Sequence, residues 1–126
     1  MNGNKLFIDT NIALYLLGGD NTLAILLQEK QIYISFITQL ELLGFKQLSV
    51  QEERLIREFI NQCNVIDINE TIKEKTIQLR KDYQVKLPDS IIMATSIFLS
   101  IPIITSDLDF KKVIELDLLF YESNRI

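Results

Sequence analysis

Seven residues near the start of the chain, Lys5-Leu6-Phe7-Ile8-Asp9-Thr10-Asn11, constrain the fold more than any other stretch. Three apolar residues run straight into Asp-Thr-Asn, and a second apolar run, residues 12–17, follows at once. A short, continuously apolar run bounded by polar residues is the pattern of a strand buried on both faces, as in a parallel sheet. The longer run after it fits a helix. Asp9 thereby falls at the carboxyl end of a buried strand, on the rim where open α/β sheets bind ligands. Two roles are open to it here: a site acid, or no more than the N-cap of the helix, a position that Asp favours.

The remaining chain alternates in the same way, with no internal repeat or Gly/Pro/Ser-rich linker. Gly18-Gly19 ends the first helix, and Asn21 or Thr22 is the predicted cap of a second, running to about residue 29. The pattern predicts a strand over 32–35 and a helix over 37–48. Ser49, with Glu52 three residues on, has the capping-box pattern and opens a helix to about residue 62. A strand over 65–68 and a helix from Asn69 or Thr71 to about residue 83 follow. Pro88, tolerated in a first turn, opens a helix to residue 99. A strand over 102–105, a short helix over 108–114 and a strand over 118–121 complete the series. Strands alternating with helices imply crossover connections and a parallel sheet covered on both faces.

Composition narrows the chemistry. The 126 residues form one predicted domain, long enough to bury a core. At 48% hydrophobic residues, so small a chain is expected to leave an apolar patch for a partner or a second copy. Membrane spans need about 20 apolar residues, and no run reaches that; Asp9 inside the first apolar stretch is unlike a signal peptide. A single cysteine, Cys63, excludes an internal disulfide framework and fits a reducing cytoplasm. The absence of histidine excludes Ser-His and Cys-His catalysis and a His-bearing zinc site. The net charge of −4 argues against a broad basic face for nucleic acid. Setting aside the four acids discussed next leaves 13 acids against 13 bases, so the rest of the molecule is neutral.

Those four acids stand in places that need explaining. Glu41 is predicted mid-helix, with Ile37 and Phe45 four residues away on either side and Leu48 one turn further. An acid on an apolar face is costly unless something pairs with it; Thr38 and Gly44 are small and leave room for a ligand. Asp89 lies at the start of a helix that is apolar almost all round, where helix-dipole stabilisation of about 0.3–1 kcal/mol is the alternative role. Asp107 follows the strand over 102–105 and so shares the rim with Asp9. Ser106 and Asp109 have the spacing of a capping box, which gives Asp109 a structural task and leaves Asp107 as first choice for the site. Two unit charges 4 Å apart repel by about 4 kcal/mol at an effective dielectric of 20. Carboxylates converging on one pocket therefore call for a cation, and a hard, all-oxygen set selects Mg²⁺ or Mn²⁺. The chemistry such a site serves best is phosphoryl transfer or phosphodiester cleavage.

Four stretches then become recognisable together: Phe7-Ile8-Asp9-Thr10-Asn11, Thr38-Gln39-Leu40-Glu41, Leu87-Pro88-Asp89-Ser90-Ile91-Ile92-Met93-Ala94-Thr95 and Ile104-Thr105-Ser106-Asp107-Leu108-Asp109-Phe110. In this order and spacing the sequence resembles the PIN-domain family of metal-dependent ribonucleases, and within it the VapC-type toxins of bacterial toxin–antitoxin pairs. The resemblance implies an α/β, three-layer fold with a five-stranded parallel sheet. It implies an endoribonuclease using one or two Mg²⁺ or Mn²⁺ ions at Asp9, Glu41, Asp89 and Asp107. Asn11 and Thr105 would orient those carboxylates, with Asp109 as the alternative fourth acid. It further implies a homodimer and an antitoxin that blocks the site. Arg80 and Lys86, the basic groups nearest the motif, are candidates for RNA phosphate contact and are otherwise solvated charges. Ser90 and Met93 stand where alanine-like residues are common in the family. Two other readings compete. An aspartyl-phosphate phosphatase also places an Asp after its first buried strand, but wants a second Asp two residues on, where this chain has Asn11. A non-catalytic module of the same fold would bind RNA or protein without cutting.

Overall fold

The computed structural model describes residues 3–122. Five strands form one parallel sheet: β1 (Lys5–Ile8), β2 (Gln31–Ser35), β3 (Asn64–Ile66), β4 (Ile103–Thr105) and β5 (Leu118–Phe120), in the order β3-β2-β1-β4-β5. The chain steps outward from β1 to β3, then returns to lay β4 against the other edge of β1. That reversal of strand order makes the β1/β4 boundary the switch point, where a crevice opens at the strand ends.

Side chains of β1 alternate between two cores, which is why its sequence is apolar without interruption. Leu6 and Ile8 pack with Ile12, Ala13, Leu23, Leu42, Ile56 and Ile60 on one face. Phe7 points the other way, into a core with Ile72, Leu79, Ile92, Met93 and Phe110. The first face is covered mainly by α1 (Thr10–Leu17), α2 (Asn21–Leu26), α3 (Phe36–Leu43) and α4 (Val50–Gln62), and the second by α5 (Glu70–Asp82) and α6 (Leu87–Leu99). Helix, sheet and helix are the three layers expected. Each fully buried Leu, Ile or Phe contributes about 1.5–3 kcal/mol of transfer free energy. In α6 seven successive residues, Ser90 to Ser96, are buried. Its hydroxyls find partners within the protein: Ser90 donates to Leu87 O at 2.7 Å, Thr95 to Ile91 O at 2.7 Å and Ser96 to Ile101 O at 3.0 Å.

Several predicted boundaries move. The cap of α2 is Asp20, whose carboxylate accepts from Leu23 N; it is neither Asn21 nor Thr22, and the helix ends at Leu26 rather than near residue 29. The helix predicted over 37–48 stops at Leu43: Gly44 N closes the last turn on Leu40 O at 2.8 Å, and Gln47 turns to φ 65°. The third strand is Asn64–Ile66, shifted one residue toward the N-terminus and shortened. The turn after β4 is a 3-10 helix, Leu108–Lys112, shorter than the helix predicted over 108–114. The Ser49–Glu52 capping box forms with both reciprocal hydrogen bonds, and Asn69 caps α5. Among the described residues no helix is long and apolar enough to cross a membrane.

Candidate active site

Register alone brings the first and last motifs together. Ile8 is paired with Ile104 across β1 and β4, so the next residues, Asp9 and Thr105, meet at the carboxyl rim. Asp9 takes the cap role that its sequence left open, and its carboxylate is tied to the rim as well. Its Oδ1 accepts from Ile12 N at 2.9 Å as the N-cap of α1, and its Oδ2 accepts a short hydrogen bond from the Thr105 hydroxyl. Thr105, fully buried, also accepts from Asp107 N at 3.0 Å and so ties the two rim acids together.

Asp9, Glu41, Asp89 and Asp107 line one cleft of about 420 Å³, with Thr10, Asn11, Leu14, Gly44, Phe45 and Ile92 as its other walls. Asp9 is only 4% exposed. Burial pushes its carboxyl up to about 6, against the two hydrogen bonds that favour the charged form, and the charges of Asp89 and Asp107 push in the same direction. The Asp89 carboxyl is also raised, by burial first and then by Asp107 and Glu41, with Lys86 opposing. The four acids therefore act as one electrostatic group.

Two of the reasons that singled out these acids do not survive. Glu41 is exposed, and Phe45 and Leu48 lie beyond the end of α3, so no continuous apolar helical face surrounds it. It reaches the cleft because Thr10 Oγ1 donates to its Oε1 at 2.6 Å. Likewise Ser106 is not the cap of the last turn. That cap is Asp107, whose Oδ1 accepts from Asp109 N at 2.9 Å, while the Ser106 hydroxyl bonds to Tyr15 Oη at 3.2 Å. Asp107 thus carries a structural task, as Asp9 does, and still faces the cleft. Asp109 is exposed, lies 3.9 Å from Lys112 Nζ, and lines a neighbouring hollow of about 620 Å³ with Arg80, Tyr83 and Lys86. Arg80 and Lys86 are therefore beside the acidic cleft rather than in it. Thr10 was missed by sequence reasoning: only its place between Asp9 and Asn11 marked it.

The donor set fits a hard divalent ion, being all carboxylate oxygen, with two members whose proton affinity is raised by burial first and by neighbouring acids second. Among the described residues no three stand together as a ready-made metal cage, so holding an ion requires side-chain adjustment.

A family model of the PIN domain matches residues 6–116. The chain belongs to the PIN-domain family. Its five-stranded parallel α/β fold matches solved structures of toxin–antitoxin complexes. A chain of the toxin–antitoxin complex from Klebsiella pneumoniae is 30% identical, with a TM-score of 0.78, covering 96% of this chain and 99% of that one. A chain of VapBC2 from Rickettsia felis, bound to a DNA fragment from the promoter, gives a TM-score of 0.80 at 21% identity, covering 94% and 99%. DNA-bound VapBC from Salmonella typhimurium gives 0.77 at 21%, covering 92% and 97%. At 21% identity these last two speak for the PIN fold. No curated protein matches the chain.

Proposed function

We propose that this PIN domain is a VapC-type toxin: a divalent-metal-dependent endoribonuclease, residues 1–126 forming one catalytic domain. The observation that supports it most is the convergence of Asp9, Glu41, Asp89 and Asp107 on one cleft at the sheet's switch point, from four separate stretches of chain. Asp9, Glu41, Asp89 and Asp107 are the residues that would hold Mg²⁺ or Mn²⁺. When bound, the ion supplies charge neutralisation at the phosphate and activation of a water. The chain's own contribution is orientation: Ile12 N and Thr105 fix both oxygens of Asp9, and Asp109 N fixes one of Asp107. Asn11, on the cleft wall, is placed to orient a water or a phosphate oxygen.

Single-stranded RNA and transfer RNA incubated with the purified protein should be cut with Mg²⁺ or Mn²⁺ and left intact with EDTA. No product with either ion, or the same product with EDTA, overturns the assignment. RNA bound equally well with and without divalent ions, and never cut, would establish the non-catalytic module instead.

Arg80 and Lys86 are the proposed contacts to RNA phosphates flanking the cleft, supported by the hollow they share and by the reach of the Lys86 charge to Asp89. Each phosphate contact to a single strand contributes about 0.7 to the log–log salt slope of binding. Arg80→Ala with Lys86→Ala should therefore flatten that slope by roughly 1.4, and an unchanged slope would return both to solvated surface charges. For an antitoxin encoded alongside, an apolar groove lined by Leu14, Leu17, Phe45, Leu48, Leu55 and Ile56 runs into the cleft, sharing Leu14 and Phe45 with it. A partner seated there would cover the acids. Exposed apolar side chains elsewhere, Ile25 and Ile114 among them, suit the proposed homodimer.

A further inference from the structure

Thr10 opens α1 immediately after Asp9, and its hydroxyl meets two groups. Glu41 Oε1 lies at 2.6 Å and Thr38 Oγ1 at 3.0 Å. An ionised carboxylate only accepts hydrogen bonds, and a hydroxyl has one proton. The Thr10 proton is therefore committed to Glu41, and the proton between the two hydroxyls must come from Thr38. The direction is fixed as Thr38 to Thr10 to Glu41, and each bond polarises the next. The anchor of this series is fully buried in α3, whereas Glu41 is exposed near the end of the same helix. A glutamate there has three side-chain torsions free to swing it into solvent. Thr10 also follows Asp9 directly, so the hydroxyl that catches Glu41 sets its separation from Asp9 across the cleft.

We propose that Thr10 and Thr38 form a hydroxyl relay that positions Glu41 over the cleft for the divalent cation, a role that rests on the cation-binding reading above. Both are positioning residues, acting only through the Glu41 carboxylate. Groups that orient metal ligands typically change affinity by about 10–100-fold when removed. Thr10→Val keeps the shape of the side chain and removes the donor; Thr10→Ser keeps the donor.

Calorimetric titration of the full chain with Mn²⁺ tests this without any substrate. Thr10→Val should weaken Mn²⁺ binding about tenfold and Thr10→Ser should restore it; in EDTA the melting temperature should stay near wild type for Thr10→Ser and fall by a few degrees for Thr10→Val, where the Thr38 hydroxyl loses its acceptor. In a Glu41→Gln background Thr10→Val should add nothing, because the group it acts through is gone. Wild-type affinity in Thr10→Val, failure of Thr10→Ser to restore binding, or an undiminished loss beside Glu41→Gln overturns the relay. Wild-type protein that takes up no Mn²⁺ overturns the cation site, and the relay with it. Mn²⁺ uptake insensitive to Thr10→Val overturns the relay alone.

Discussion

Asp9→Asn should lower RNA cleavage by about 10³-fold or more and, in EDTA at pH 7, make the protein more stable than wild type. The two effects share one cause. Asp9 gives up its proton near pH 3.8 when unfolded and near 6 when folded, because burial and the neighbouring acids disfavour its charge. The folded state thus binds more protons between those values. Stability from this residue is fully present below about pH 4 and is lost as pH rises through 6, and the loss amounts to about 3 kcal/mol at pH 7. Asparagine removes that loss while keeping the shape: its oxygen can still accept from Ile12 N, and its amide can donate to the Thr105 oxygen, although the Thr105 proton then lacks its acceptor and offsets part of the gain. A gain of roughly 5–10 °C in melting temperature is expected. Saturating Mn²⁺, at about 100 times its dissociation constant, should add about 2.7 kcal/mol to wild type by mass action and little to the variant. Loss of a metal-binding carboxylate removes several kcal/mol of transition-state stabilisation, hence the fall in rate. An equal Mn²⁺ response in both proteins would show that Asp9 is a cap and nothing more.

Thr105→Val is the opposite case, a loss of stability that depends on pH. Valine fills the same space but leaves the buried Asp9 Oδ2, and the part-buried Asp107 N, without their hydroxyl partner. An unmet charge-assisted hydrogen bond of this kind costs about 2–3 kcal/mol. The Thr105 bond favours the ionised form of Asp9, so its removal drives that carboxyl further above 6. Below about pH 5 the carboxyl is protonated in both proteins and the difference should shrink. Denaturant unfolding in EDTA at pH 5 and pH 7 checks this, with the larger loss expected at pH 7. Cleavage should fall about 10–100-fold, and Thr105→Ser should recover most of it. An equal loss of stability at both pH values would mean that Thr105 only fills space.

The fold was legible because β1 and α6 are apolar in the way that only burial on every side explains. A local signal with a single physical reading, the Ser49–Glu52 box, landed where the sequence put it, and of the two caps offered for α5 the structure takes Asn69. Other signals with several readings did not resolve. Asp20, Asn21 and Thr22 are all good caps, and nothing local ranks them. Ser106 and Asp107 compete likewise for the turn after β4, and the contact of Ser106 with Tyr15 is remote in sequence. Glu41 was found by assuming that α3 runs through Gly44, which it does not. Its true hold, Thr10, lies 31 residues away and leaves no local trace. Long-range side-chain pairing is what periodicity cannot carry.

The bond between Thr105 and Asp9 joins residues 96 positions apart, on strands that are neighbours only after the chain has doubled back. During synthesis, then, a ribosome must make most of this protein before its first acid can meet the hydroxyl that orients it. An unfinished chain carries Asp9, Glu41 and even Asp89, but neither Thr105, which orients Asp9, nor Asp107. The proposed activity of the cleft is therefore expected only of chains long enough to include β4.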